Sequence, residues 1–268
     1  MVTFPNAKIN LGLNVVGRRP DGYHNIESLF YPVVLSEILE VLPGDEFLFE
    51  TSGLYIDSVP EKNLAVKAYN LLKQKYDLPP VKIHLHKAIP IGAGLGGGSS
   101  DAAFMLKMLN QIYEIGVSVD QLSSYASELG ADCPFFIENR PAFATGTGNQ
   151  LTPIDIDLSS YHFILVKPPF GVSTANAYKA IKPYRQSVSI HEIIAEPIET
   201  WKDYLINDFE KPVFKMFPEI ASIKQKLYDL GAIYASMSGS GSAVFAFFKD
   251  NSVDFKSRFS NDYFVYVR

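Results

Sequence analysis

Residues 90–100, Pro90-Ile91-Gly92-Ala93-Gly94-Leu95-Gly96-Gly97-Gly98-Ser99-Ser100, constrain this chain more than any other stretch. Five glycines within residues 92–98 free the backbone to take positive φ and keep Cβ atoms out of the way. Two serines follow, and then Asp101 to Leu109, whose apolar residues recur at helical spacing. A flexible loop feeding a helix start gathers free N–H groups and the positive end of the helix dipole at one point. A plain turn, or a serine N-cap, needs only one or two glycines, so the stretch reads as an anion cradle for phosphate.

Gly92, Gly94 and Gly97 satisfy the dinucleotide fingerprint by spacing, but the preceding segment argues against it. Val81-Lys82-Ile83-His84-Leu85-His86 alternates strictly and describes a strand with one wet face. The strand entering a dinucleotide fold is buried on both faces and reads as a continuous apolar run. A Walker loop needs a closing Lys-Ser or Lys-Thr pair, which this stretch lacks.

Composition excludes several function classes. At 268 residues there is room for one large domain or two small ones, and the formal net charge of −5 offers no broad attraction to nucleic acid or anionic membrane. The single cysteine, Cys133, excludes an intrachain disulfide and suits a reducing compartment. The N-terminal residues lack a basic region followed by an apolar one, and no apolar run reaches membrane-spanning length. The expectation is a cytoplasmic protein with a small-molecule substrate, and neither nucleic acid nor membrane as partner.

In chain order, Ala7 to Val15 alternates, with Lys8, Asn10, Gly12 and Asn14 sharing the polar face. That face is either solvated or functional; glycine and asparagine are poor strand formers, which favours function. A turn at Gly17 to Gly22 delivers Tyr23 and His24, an aromatic and an imidazole able to grip a planar base. Residues 37–42 and 46–50 read as strands paired around Pro43-Gly44-Asp45. Asn63 and Ser118 read as helix N-caps, and Gly130 as a helix stop. Asp132 lies between that stop and Pro134-Phe135-Phe136, where a partly buried carboxylate needs a cationic partner or serves as a base, although a turn role stays open. Residues 142–144 and 150–152 form a hairpin pattern. Helical patterns follow across 190–195, 200–209, 220–230 and about 253–259. A second Gly/Ser loop, Ser238-Gly239-Ser240-Gly241-Ser242, joins two strand-like runs. The class is α+β.

An N-terminal strand, a Pro-x-x-x-Gly-Leu-Gly-Ser-Ser-type loop and a late Gly/Ser loop, in this order, resemble the GHMP kinase superfamily over nearly the whole chain. Residues 5–11, 19–24, 94–100, 130–134 and 207–210 resemble in particular the members whose acceptor is a cytidine diphosphate-linked methylerythritol of isoprenoid synthesis. The resemblance implies an N-terminal domain (1–153) like ribosomal protein S5 domain 2 and a ferredoxin-like C-terminal domain (154–268), with ATP and substrate in the cleft between them. It assigns Lys8 and Asp132 to catalysis and Pro90 to Ser100 to the ATP phosphates. Asn10, Tyr23, His24, Gly239 and Ser240 go to the substrate side, and Phe170 or Tyr178 to the far face of the base. Mg²⁺ is implied with ATP, but no residue matches the superfamily's acidic metal ligand with certainty; Asp101 reads equally well as a residue complementing the helix dipole.

The chemistry suits these residue types, because phosphoryl transfer needs positioning and charge neutralisation more than covalent help. Asp132 would take the proton of a tertiary hydroxyl, and Lys8 would stabilise the developing charge. The rival readings are another small-molecule GHMP kinase, a non-catalytic nucleotide sensor on the same fold, and a nicotinamide-dependent dehydrogenase with Glu114 as the acidic ribose ligand.

Overall fold

The computed structural model describes residues 1–181, 188–250 and 253–268, which form two compact units. One comprises Met1–Lys8, Pro32–Ile91 and Gly96–Arg140; the other comprises Ile9–Tyr31, Gly92–Leu95 and Pro141–Arg268. The strands in chain order are β1 (Val2–Thr3), β2 (Asn6–Arg18), β3 (His24–Ser36), β4 (Ile38–Pro43), β5 (Leu48–Gly53) and β6 (Val81–Lys87). They continue with β7 (Ala142–Thr145), β8 (Gln150–Pro153), β9 (His162–Lys167), β10 (Tyr234–Met237), β11 (Val244–Phe248) and β12 (Phe264–Val267). The helices begin with α1 (Leu64–Tyr76), α2 (Gly97–Ile112), α3 (Val119–Leu129), α4 (Phe135–Glu138) and α5 (Thr174–Ala180). They end with α6 (Ile190–Ile194), α7 (Trp201–Tyr204), α8 (Glu210–Met216) and α9 (Pro218–Asp229).

The first unit is built on a sheet of order β1-β4-β6-β5. Alternation in β6 buries Val81, Ile83, Leu85 and Lys87 on one face and leaves Lys82, His84 and His86 more open on the other. Helix α1 packs on α2, and α2 on β4. Asn63 caps α1 by accepting from the Ala65 N–H at 2.9 Å. Ser118 caps α3, which stops at Gly130. Each fully buried side chain of α2, such as Met105, Leu106 and Leu109, contributes about 1.5–3 kcal/mol. The expected hairpin of residues 37–42 with 46–50 is corrected: β6 lies between β4 and β5, antiparallel to the first and parallel to the second. Propensity located both strands, but pairing is settled by β6, which comes later in the chain and inserts between them.

The second unit holds two sheets, of orders β2-β3-β7-β8 and β10-β11-β9-β12. The hairpins β7-β8 and β10-β11 form as expected. The polar face of β2 is not solvated. A Cβ on Gly12 would meet Leu205 Cδ1 at 2.6 Å and Ile190 Cδ1 at 3.1 Å, and Asn10 and Asn14 are buried. The single helix expected over 200–209 is also corrected. Helix α7 ends at Tyr204, and residues 206–208 bond instead to β2, Leu13 N–H to Ile206 O at 2.9 Å and Asp208 N–H to Leu13 O at 2.8 Å. Of the helix expected over 253–259 only one 3-10 turn, Lys256–Arg258, is present.

Candidate functional site

In the first unit the site begins where the glycine loop becomes α2. The N-cap is Gly96 at φ 71°, and no side chain caps the helix. The backbone N–H groups of the first turn are therefore left for another acceptor, while Ser99 and Ser100 lie inside the helix rather than capping it. A side chain at 96 would be both strained and obstructed, because its Cβ would come 3.0 Å from the Phe136 ring and 3.2 Å from Lys8 Cγ. That contact brings β2's Lys8 against the helix start. Lys8 Nζ lies 3.3 Å from Asp132 Oδ2, with Lys8 4% and Asp132 35% exposed. Asp132 owes its place to the sharp stop at Gly130, whose carbonyl accepts from Cys133 N–H at 3.2 Å, and to α4 starting just afterwards. Cys133 itself is buried, and burial pushes its thiol up to about 12.

In the second unit, Gly92 to Leu95 meet the late Gly/Ser loop. Ser238 Oγ donates to Gly94 O at 2.8 Å, and Ala243 N–H donates to Ala93 O at 3.2 Å. A Cβ on Gly239 would stand 3.1 Å from Gly94 Cα and 3.5 Å from Asn10 Oδ1, so Asn10, Gly94 and Gly239 converge. Asn10 Nδ2 donates to Ser28 Oγ at 2.9 Å, and Ser28 Oγ to Gly12 O at 2.6 Å, which fixes the amide. Ser240 Oγ pairs with Thr174 Oγ1 at 2.9 Å.

The aromatic residues separate clearly. His24 stacks on Tyr178 at 4.9 Å with planes 20° apart, and Tyr178 abuts Phe209 edge-on at 4.8 Å. Phe170 stacks on Phe217 instead. Tyr23 is two-thirds exposed, held by its N–H donating to Asp21 Oδ1.

Sequence reasoning missed several residues here. Asn207 donates to Met237 O at 2.7 Å and Gly239 O at 2.8 Å, fixing the Gly/Ser loop from below. Glu210 accepts from Ser236 Oγ and the Met237 N–H. Both were part of a family-like segment but carried no assigned role. In the first unit, Lys87 bonds Glu37 and Asp101. Its signal was legible: Lys87 falls on the apolar parity of β6, where a cation must be paired. Among the described residues, no three His, Cys, Asp or Glu side chains converge as a metal cage. No helix there is long and apolar enough to cross a membrane.

The GHMP kinases N terminal domain profile matches residues 63–140, and the GHMP kinases C terminal profile matches 189–263. A 4-diphosphocytidyl-2-C-methyl-D-erythritol kinase of Parabacteroides distasonis is 54% identical over 249 residues, 93% of this chain and 92% of that protein. One of Bacteroides fragilis is 52% identical over 267 residues, 97% of each. A crystal structure of 4-(cytidine 5'-diphospho)-2C-methyl-D-erythritol kinase superimposes with a TM-score of 0.80 at 36% identity, covering 92% of this chain and 89% of that one.

Proposed function

The chain belongs to the 4-diphosphocytidyl-2-C-methyl-D-erythritol kinase family of GHMP kinases, and from that premise we propose how its residues perform the phosphoryl transfer for which its relatives are named. The reaction moves the γ-phosphoryl group of ATP to the 2-hydroxyl of 4-diphosphocytidyl-2-C-methyl-D-erythritol, leaving ADP and the 2-phosphate. One observation carries the reading. A carboxylate, an ammonium and an uncapped helix start are gathered within one unit, through Asp132, Lys8 and Gly96.

Asp132 is open enough to meet a substrate hydroxyl and accepts its proton as the oxygen attacks. Lys8, held at 3.3 Å from Asp132, stabilises the charge that builds on the transferring phosphoryl group. The loop from Pro90 to Ser100, with the first-turn amides of α2, holds the triphosphate. Mg²⁺ arrives with ATP as part of the substrate and neutralises phosphate oxygens.

The buried Asn10 amide and the backbone at Gly239 and Ser240 orient the acceptor. Tyr23 and His24, with Tyr178 beyond, take the cytosine. A base needs about 3.5 Å to each flanking ring, the ordinary van der Waals separation of carbon atoms. The 4.9 Å His24–Tyr178 stack must therefore open, or the base must lie on its outer face. A domain division near residue 153 is retained as part of this reading.

The dehydrogenase alternative loses its basis, because β6 lies in a mixed sheet, antiparallel to β4 and parallel to β5, instead of in a parallel nucleotide-binding sheet. An acceptor panel tests the assignment. ADP formation from Mg·ATP is followed with 4-diphosphocytidyl-2-C-methyl-D-erythritol, mevalonate and homoserine in turn. Turnover is expected with the first alone; preferential turnover of either other acceptor would overturn the substrate.

A further inference from the structure

Beneath the start of α2 lies a charged cluster to which the reaction as described gives no role. Lys87 Nζ donates to Glu37 Oε1 and, at 2.8 Å, to Asp101 Oδ2. The side chains of Lys87, Glu37 and Asp101 are 5%, 0% and 2% exposed. Each comes from a different element. Glu37 sits in the bend between β3 and β4, Lys87 ends β6, and Asp101 lies one turn into α2. The second oxygens, Glu37 Oε2 and Asp101 Oδ1, are buried with no hydrogen-bond partner.

Position makes this cluster relevant to nucleotide. Glu37 Oε1 would stand 2.9 Å from a Cβ on Gly97, so the carboxyl lies directly against the first residue of the helix that receives the phosphates. Lys87 and Asp101 are the charged groups that face it among the described residues. With both carboxyls ionised, the cluster carries one net negative charge in a dry site beneath an anion cradle. One proton on the carboxyl pair makes it neutral.

We propose that the Glu37–Asp101 pair must hold one proton for the start of α2 to bind a triphosphate, so that nucleotide binding is coupled to protonation of a buried pair. This rests on the phosphate-loop reading above. Burial first, and then the Asp101 charge, outweigh Lys87 and push Glu37 up to about 8, while burial also raises Asp101. Lys87 is pulled down by burial, yet its two carboxyl partners win and keep it cationic. These are positioning residues: their charge is felt at the helix start across the first turn.

Binding of Mg·ATP, measured by calorimetry with the hydroxyl acceptor absent, tests this between pH 7 and 9.5. Wild-type affinity should be flat to about pH 8 and then fall, approaching tenfold per pH unit for one linked proton. Proton uptake should be visible as a buffer-dependent binding heat. Glu37→Gln keeps the shape but cannot ionise, and its affinity should stay flat to pH 9.5. Asp101→Asn, a second way to remove one carboxyl, should flatten it likewise. A wild-type profile without the fall, or a fall unchanged in both variants, overturns the coupling while leaving the phosphate loop intact. Absence of nucleotide affinity at every pH would overturn the loop reading, and the coupling with it.

Discussion

Gly94→Ala is the substitution whose consequence can be worked most fully from the structure. Gly94 has φ 78°, which costs a residue with a Cβ about 1–2 kcal/mol. The added carbon would also stand 2.0 Å from Ser238 O, where real contacts begin at about 3.0 Å, so roughly 1.0 Å of separation must open between the two loops. That opening breaks the 2.8 Å bond from Ser238 Oγ to Gly94 O. A displacement of about 1 Å near reacting groups costs on the order of a hundredfold in rate. Gly92→Ala is the control: its φ is 64°, but a Cβ there meets nothing within 4 Å. It adds the same kind of backbone strain, a few degrees in Tm at roughly 2–4 °C per kcal/mol, without forcing the two loops apart. Steady-state kinetics of both variants, beside their melting curves, provide the assay. If Gly94→Ala matched Gly92→Ala in kcat/KM, the argument that the contact of the two loops sets the geometry would be wrong.

Other expectations concern separate parts of the site. Tyr178→Ala should raise KM for the cytidine-linked substrate at least about fivefold, the loss of one base–aromatic stacking contact of about 1–3 kcal/mol, and leave KM for ATP within about twofold. Equal shifts in both constants would remove Tyr178 from the base site. Cys133, buried and with its thiol pushed up to about 12, should resist iodoacetamide at pH 8.5 in the folded enzyme and react once denaturant is added, as mass spectrometry would show. Rapid native labelling would contradict its burial. Asn207→Ala should remove the bonds to Met237 O and Gly239 O and lower the melting temperature along with kcat, since two buried carbonyls lose their donor. An unchanged melting curve would show that water replaces the amide.

Much of this architecture was legible in the residues. The glycine run announced a helix start that no side chain caps, and Gly96 at φ 71° is that start. Capping residues Asn63 and Ser118 stand where the sequence puts them, because a cap is a local hydrogen bond. What failed depended on long-range partners. The strands on either side of Pro43-Gly44-Asp45 were found but paired with the wrong neighbour, since register is decided by β6 more than thirty residues on. On the polar face of β2 the period leaves solvent and function both open and composition favours function; the side chains of Leu205 and Ile190 against Gly12 show that it is covered. At the candidate site, Lys8 and Asp132 were named from motifs, and the 3.3 Å pair supplies their geometry. Lys87 was overlooked although its parity on β6 marked it as buried, because its partners Glu37 and Asp101 come from elements that no local pattern joins.

The measurement that bears most directly on the account is single-turnover transfer of labelled γ-phosphoryl from Mg·ATP to 4-diphosphocytidyl-2-C-methyl-D-erythritol, in wild type and in Asp132→Asn. The account predicts labelled 2-phosphate in the wild type and a rate at least about a hundredfold lower in the variant, with both substrates still bound and the fold retained. Transfer at a near-native rate in folded Asp132→Asn would contradict it, and would leave catalysis to positioning by Lys8 and the phosphate loop.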